Sequence, residues 1–265
     1  PYLSRGLGDV YKRQGIMDNF LKKITKDVDL SFAILLSFCV YVFFAINIEV
    51  FFSHNISFAI LERFAVLGLV GLALTICIIA GEIDLSIGSN AALCAVIVVK
   101  LTDPLGAPLA MIIGLSVSTL IGATQGFVIA FIRIRAIVIT VGTLMLLRGV
   151  ALLIAEEKTV MLTDFRVPDF ITTKVLMYFS PASLTVIFIF ICVGIFMRYT
   201  KYGREIYAIG GARKEALTAG IPLRRPMIIA FALSGFCAGF AGTVIGLKSG
   251  TCLLYTSDAA DEVLG

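Results

Sequence analysis

The residues best suited to chemistry are two carboxylates, Glu82 and Asp84, in the segment AGEIDLSIGS between two long apolar runs. Paired acids buried at mid-membrane on broken helices are typical of ion-coupled transport, but this pair falls at the boundary of a run. Gly81, Ser86 and Gly88 surround it and favour a tight turn in which Asp84 or Ser86 caps the next helix. We call residues 81–88 the acidic turn. Capping accounts for Asp84 and leaves Glu82 less explained.

Two further polar side chains lie inside apolar runs and are candidates for a translocation path. Gln125 stands within GATQG, whose glycines indicate close helix contacts, so it either hydrogen-bonds between helices or lines a pore. Arg148 lies deep in another run, where an ionised side chain is costly and usually faces protein or water. The alternative for Arg148 is that it reaches outward or pairs with Glu156 or Glu157.

No residue pattern indicates an enzyme. The sequence contains no GxxxxGK[ST] phosphate loop, no nucleophile beside a base and no clustered metal ligands. Its six cysteines have no CxxC spacing, and the single histidine, His54, lies in the short segment FFSHNIS, where a solvated or interfacial position is favoured. We therefore predict that the chain binds no cofactor or metal and catalyses no reaction itself.

The composition indicates a membrane protein. Hydrophobic residues make up 59% of the chain and charged residues 15%, and a helix of about 20 apolar residues crosses about 30 Å of hydrocarbon. We predict an all-α, polytopic membrane protein with about seven spans. The apolar runs are residues 30–48, 64–81, 85–99, 104–132, 136–155, 175–197 and 226–247.

The basic residues are concentrated in three clusters, before the first run, after the fourth, and between the sixth and seventh. With a cytoplasmic N-terminus and seven crossings, all three clusters fall on the cytoplasmic side, as the positive-inside rule requires. Nucleic acid is not a predicted partner. The basic charge is a topology signal.

The two ends of the chain encode related DNA. DVYKRQ, residues 9–14, back-translates to a string whose reverse complement encodes CLLYTS, residues 252–257. The string resembles a transposon end used in sequencing libraries, and nothing in helix or membrane physics relates the two ends. We interpret residues 1–14 and 252–265 as non-native adapter translation. Residues 15–251 are then a single transmembrane domain, truncated at its C-terminus.

Three segments, in order along the chain, resemble the permease subunits of ribose-type ABC importers of simple sugars. AGEIDLSIGS is similar to their GGIDLSVGS-like segment, GATQGFVIAFIRIRAIVITVGTLMLLRG to their fourth and fifth segments, and residues 203–242 to their cytoplasmic loop and following helix. Glu82 stands where the family more often has a second glycine, and Arg135 with Ala136 where it often has proline. The resemblance implies import of a monosaccharide or an autoinducer-2-like solute across the bacterial inner membrane.

The resemblance also implies the partners. These are a cytoplasmic ABC ATPase with tandem nucleotide-binding domains, a periplasmic or lipid-anchored sugar-binding protein, and a second permease copy in a homodimer or heterodimer within the lipid bilayer. ATP is hydrolysed by the ATPase, and the permease needs no cofactor of its own.

The segment ARKEALTAG predicts a short surface helix between the sixth and seventh runs. Lys214 and Glu215 form its charged outer face, and Gly220 is placed to end it. By resemblance this is the coupling helix that fits a groove on the ATPase, and Arg204 and Ala216 belong to the same coupling loop. Without the resemblance the segment is an ordinary basic linker.

Two other function classes stay open from the residues alone. A secondary transporter or channel for a small polar solute would use paired acids at mid-membrane, and Glu82 with Asp84 is the one candidate pair. A structural membrane scaffold would need neither a polar path nor an ATPase. Neither the residues nor the resemblance selects one sugar.

Overall fold

The computed structural model describes residues 32, 34–48, 51, 53–132, 134–156, 160–162, 166–175, 179–249 and 251–252. The predicted adapter segments lie outside the described residues except for residue 252, so the division into native and adapter-derived parts stays a prediction. Two compact units are present, Pro1–Ser57 and Phe58–Gly265. The sites described below belong to the second unit.

Helices make up nearly all of the described chain. They are α1 (Ile34–Asn47), α2 (His54–Ile79), α3 (Ile87–Leu105), α4 (Ala107–Ile132), α5 (Ala136–Ala155), α6 (Arg166–Thr172), α7 (Pro181–Tyr199), α8 (Lys201–Gly211), α9 (Arg213–Thr218) and α10 (Arg224–Ser249). Two short antiparallel strands, β1 (Val160–Met161) and β2 (Thr251–Cys252), pair Val160 with Cys252 and Met161 with Thr251.

Six of these helices, α2, α3, α4, α5, α7 and α10, are long and apolar enough to cross a membrane. The prediction of a polytopic all-α membrane protein is therefore confirmed. The first of the seven predicted spans coincides with α1, which is apolar but shorter among the described residues.

The core of the second unit is the contact of α4 and α3 with α10, which packs through small residues. A Cβ on Gly126 would lie 2.8 Å from the carbonyl oxygen of Met227, and one on Gly235 would lie 2.5 Å from that of Ser118. Larger side chains would force these helices apart, and close backbone approach is what favours helix association in a bilayer. The tight contacts predicted from GATQG are present.

Local sequence starts and stops the helices near the predicted loop. Ser180 caps α7 in a capping box with Ser183, and Pro181 follows at the first helical position. Thr200 ends α7 and then caps α8, because its hydroxyl accepts a hydrogen bond from the N–H of Gly203 at 3.1 Å. The chain therefore turns sharply from a membrane helix into the loop.

The second unit has two ends, which carry different polar clusters. α2 finishes at Ile79 against α8, where a Cβ on Gly210 would lie 2.8 Å from the carbonyl carbon of Ile79. Glu62, about 25 Å away along α2 at 1.5 Å per residue, contacts Ser180 at the start of α7 and Lys248 at the end of α10. We call these the loop end and the far end.

Candidate functional site

The acidic turn starts at a helix end that only glycine fits well. Gly81 has φ of +80°, and its N–H donates to the carbonyl of Ile78 at 2.9 Å, while the N–H of Glu82 donates to that of Cys77 at 3.0 Å. These two bonds form a Schellman motif, which satisfies the last carbonyls of α2. Gly81 thus supplies the left-handed conformation that this turn requires, whereas Gly88 lies in the first turn of α3.

Asp84 is buried and holds the acidic turn against α10. Its Oδ1 accepts hydrogen bonds from the N–H of Ser86 at 2.9 Å and from the Ser86 hydroxyl at 2.7 Å, and its Oδ2 accepts one from the Ser234 hydroxyl at 3.4 Å. The side-chain amide of Gln125 donates to the Ser86 hydroxyl at 2.7 Å. Burial raises the pKa of Asp84, and the hydrogen bonds from Ser86 and Ser234 offset part of that rise.

The structure corrects the prediction that Asp84 or Ser86 caps α3. Ser86 occupies the N-cap position, but with φ −84° and ψ −7° its backbone is already helical, and its side chain makes no capping bond. Asp84 accepts from the N–H of Ser86 and not from the first amides of α3. Both side chains are engaged in packing the turn against α4 and α10, so they position the turn as a whole.

Glu82 joins three elements at the loop end. Its Oε1 accepts a hydrogen bond from Nη2 of Arg213, the first residue of α9, at 2.7 Å, and its Oε2 accepts one from the N–H of Ala136, the first residue of α5, at 3.3 Å. A carboxylate is favoured at that helix start by the exposed amides and the helix dipole. Sequence reasoning found no role for Glu82 and did not single out Arg213, because no local spacing relates the two.

The predicted coupling helix is α9, and its charged side chains face outward as expected. Lys214 and Glu215 are exposed, whereas Ala216 is buried. The N–H of Gly220, which has φ of +81°, donates to the carbonyl of Leu217 at 3.0 Å, and the next N–H donates to that of Ala216 at 2.9 Å. This second Schellman motif confirms Gly220 as the residue that ends the helix.

Arg204 does not lie on α9. It is exposed on α8, where its Nη1 donates to the carbonyl of Tyr199 at 3.0 Å and so closes the end of α7. Tyr202 and Tyr207 on α8 and Leu217 on α9 are also exposed. The loop end therefore presents tyrosines and an arginine, residue types that are enriched at protein interfaces.

A cavity of about 600 Å³ lies beside the Glu82–Arg213 pair. The ends of α4, α9 and α10 surround it, and its polar lining consists of Glu82, Arg135, Arg213 and Arg224. Because α9 forms one wall through Leu217, a displacement of α9 would change both the cavity and the ion pair.

The two candidates for a translocation path have different surroundings. Gln125 is buried among α3, α4 and α10, and within the described part of the chain its Oε1 has no hydrogen-bond partner. Arg148 is exposed on α5. Glu156, an alternative partner for Arg148 in the sequence, forms an ion pair with Lys100 at 3.0 Å. The path through these residues stays a prediction.

Chemically, the loop-end site can hold helices together and change their contacts. Across the residues that the structure describes, no group of three or more His, Cys, Asp or Glu side chains could hold a metal ion. The lining of its cavity offers three arginines and one glutamate among apolar side chains, and the absence of a cofactor stays a prediction.

Sequence reasoning missed the polar cluster at the far end. Glu62 is buried, its Oε2 lies 2.6 Å from Nζ of Lys248, and its Oε1 accepts a hydrogen bond from the Ser180 hydroxyl. The predicted second span begins at residue 64, beyond Glu62 and Arg63, whereas α2 begins at His54. The sequence signal that could have identified this cluster was the position of Glu62, two residues before the apolar run that begins at residue 64.

Comparisons with known proteins place these features in a family. The family described as "Branched-chain amino acid transport system / permease component" matches residues 56–259. That match extends into the predicted adapter segment 252–265, whose origin stays a prediction. No solved structure matches significantly.

Three curated relatives illustrate the similarity. The D-allose transport system permease protein of Escherichia coli is 30% identical over 220 residues, covering 82% of this chain and 67% of that protein. The L-arabinose transport system permease protein of Escherichia coli is 33% identical over 187 residues, covering 68% of this chain and 55% of that protein. The autoinducer 2 import system permease protein of Klebsiella pneumoniae is 33% identical over 238 residues, covering 87% of this chain and 67% of that protein. The chain thus spans 55% to 67% of these relatives' lengths.

Proposed function

The chain belongs to this family of transport-system permease components, and on that premise we propose that it is the membrane-spanning subunit of an ATP-driven importer. Its proposed cargo is a monosaccharide or a similar sugar-like solute, which crosses the inner membrane. The names of the three relatives support this class of solute. The N-terminus and the loop end lie on the cytoplasmic side, in agreement with the distribution of basic residues.

The observation that carries the proposal is the position of Glu82 between Arg213 on α9 and Ala136 on α5. In the proposed mechanism the ATPase moves α9, and the ion pair passes that motion to the acidic turn and to α5. Because the acidic turn joins α2 to α3, one short helix acts on three membrane helices. Such shifts of packed helices are a common way to alternate between two states.

The surface of α9 suits a partner protein on one side and the permease on the other. Lys214 and Glu215 face outward with Leu217, while Ala216 packs inward. We assign the outward face to a groove on an ABC ATPase with tandem nucleotide-binding domains, which hydrolyses the ATP. Arg204, Tyr202 and Tyr207 extend the same surface along α8.

Two further partners complete the proposal. A periplasmic or lipid-anchored binding protein delivers the solute to the far end. A second permease copy, identical or related, packs against a membrane helix. α5 is the least buried of the six membrane-length helices and exposes Val138, Met145, Leu146 and Leu153.

An ion-coupled transporter is less favoured, because Glu82 and Asp84 lie between helices and are already engaged with protein groups.

Association with an ATPase tests the proposal. The gene is expressed from its genomic copy together with neighbouring genes that encode a P-loop ATPase and a secreted binding protein, and the purified complex is reconstituted in liposomes. We expect the ATPase to co-purify and its activity to rise when the binding protein carries solute. Transport that proceeds without any ATPase and follows an ion gradient would contradict the proposal.

A further inference from the structure

The far end contains an ion pair between a buried carboxylate and a partly exposed ammonium group, which the coupling mechanism does not use. Glu62 is 3% exposed, its Oε2 lies 2.6 Å from Nζ of Lys248, and its Oε1 accepts a hydrogen bond from Ser180. The pair links α2 to the last turn of α10, and Ser180 adds the start of α7. Three membrane helices therefore meet at one carboxylate.

Stability alone does not account for such a pair. Taking two charges out of water costs about as much free energy as their attraction returns, and an apolar pair of similar volume often packs as well. Ionisable groups within membrane helices usually mark the path of a solute or ion. A binding site that a ligand can enter is therefore expected beside Glu62.

A cavity of about 540 Å³ lies directly beside the pair. Glu62, Arg63, Lys248 and Ser249 contribute its polar groups, and Phe58 and Leu67 are among its apolar lining. Few polar groups among apolar ones, within a volume of about 300–1,000 Å³, are typical of small-molecule sites. Arg63 is exposed, so its guanidinium group is accessible from outside the protein.

The polar groups match the chemistry of hydroxyl groups. A hydroxyl both donates and accepts, and the cavity offers a carboxylate acceptor in Glu62 beside charged donors in Lys248 and Arg63. Because Glu62 is already neutralised by Lys248, the cavity has no uncompensated negative charge to select a cation. Phe58 adds apolar surface to the lining.

We propose that this cavity at the far end, formed by Glu62, Arg63 and Lys248 between α2 and α10, is a binding site for a hydroxyl-rich solute. The proposal rests on the proposed import function and locates where the solute first contacts the permease. Binding at this site involves no covalent step and needs neither the ATPase nor the binding protein, so it is measurable separately from coupling.

Tryptophan fluorescence provides the test, because the chain contains no Trp. Leu67→Trp places a single reporter in the cavity lining, and the purified chain in lipid nanodiscs is titrated with D-allose, L-arabinose and L-leucine. We expect a saturable response to at least one sugar and none to L-leucine. Glu62→Gln and Lys248→Met, in the reporter background, should each weaken sugar binding roughly tenfold or more, the effect of losing a hydrogen bond to a charged group.

Two controls keep the test decisive. Glu156→Gln breaks the exposed Lys100–Glu156 pair and should leave sugar binding within twofold of the reporter alone. If Glu62→Gln or Lys248→Met fails to fold, Arg63→Gln replaces it, since Arg63 is exposed and does not belong to the Glu62–Lys248 pair; we expect a several-fold loss. A response to L-leucine alone, no saturable response to either sugar, or unchanged sugar binding in Arg63→Gln and Lys248→Met would overturn the proposal. Co-purification with the ATPase would still support the import function in each of those cases.

Discussion

Two glutamates, Glu62 at the far end and Glu82 at the loop end, form ion pairs of nearly equal length but different surroundings. The Glu62–Lys248 distance is 2.6 Å and the Glu82–Arg213 distance is 2.7 Å. Glu62 is buried and pairs two membrane helices, whereas Arg213 is 45% exposed on a helix of six residues. A pair within the helix bundle resists movement, while a pair to a short surface helix can transmit it.

The largest expected effect follows from breaking the far-end pair on one side. Lys248→Met leaves the buried Glu62 carboxylate without its cation, and removing one partner of a buried pair costs about 3–5 kcal/mol of the free energy of unfolding. Adding Glu62→Gln removes the second charge and should recover most of the loss. Unfolding of the purified chain in detergent measures both variants. If Lys248→Met alone is as stable as the parent, the Glu62 carboxylate is hydrated.

The next effect concerns the inward side of α9. Ala216→Glu places a charged, bulky side chain where a buried alanine packs, so the helix is displaced from the permease and solute-stimulated ATP hydrolysis should be abolished. Ala212→Glu adds the same charge at an exposed position just before the helix and should retain most of the activity. Membrane abundance must be equal in both. Normal ATP hydrolysis in the Ala216 variant would remove α9 from the coupling mechanism.

A functional effect with little loss of stability is expected at the loop-end pair. Glu82→Gln or Arg213→Gln should lower the free energy of unfolding by about 1 kcal/mol or less, because partly exposed pairs contribute little, yet solute-stimulated ATP hydrolysis should fall strongly. The matched control, Lys100→Gln, breaks an exposed pair of 3.0 Å elsewhere. The exchange of Glu82→Arg with Arg213→Glu should restore part of the activity, limited by an arginine facing the start of α5. Equal losses in the control would contradict a specific role for Glu82.

The smallest effect is expected for Asp84→Asn. Asparagine keeps the acceptor for both Ser86 donors, so the change in the free energy of unfolding at neutral pH should be about 1 kcal/mol or less. Because burial raises the folded-state pKa of Asp84 above its ordinary value of 3.8, the folded protein binds the proton more tightly. The contribution of Asp84 to the free energy of unfolding is therefore fully present below pH 3.8, and it is lost as the pH rises through the folded-state pKa.

Unfolding of the parent and of Asp84→Asn, followed from acidic to neutral pH, measures this effect. The parent should lose stability with rising pH relative to the variant. A parallel pH dependence in both proteins would show that Asp84 titrates normally, and a severe loss of transport without loss of stability would assign its charge to function.

Features that depend on neighbouring residues were predictable. Apolar length and composition located the membrane helices, since the cost of exposing polar groups to lipid acts along the local chain. Gly81 and Gly220 were both identified as turn residues because only glycine adopts their positive φ without strain. The order of exposed Lys214, exposed Glu215 and buried Ala216 followed from the short helix they share.

The roles of the charged side chains required the tertiary structure. Glu82 meets Arg213 across 131 positions and Glu62 meets Ser180 across 118, and no local pattern encodes such separations. Ser86 was expected to cap α3, but its hydroxyl binds Asp84 and Gln125 because α4 and α10 approach the turn. The course of the helices and the positions where glycine must turn the chain follow from the sequence, because they depend on local conformation and hydropathy. Which charges meet was decided only by packing, since an ion pair depends on distance in space and not along the chain.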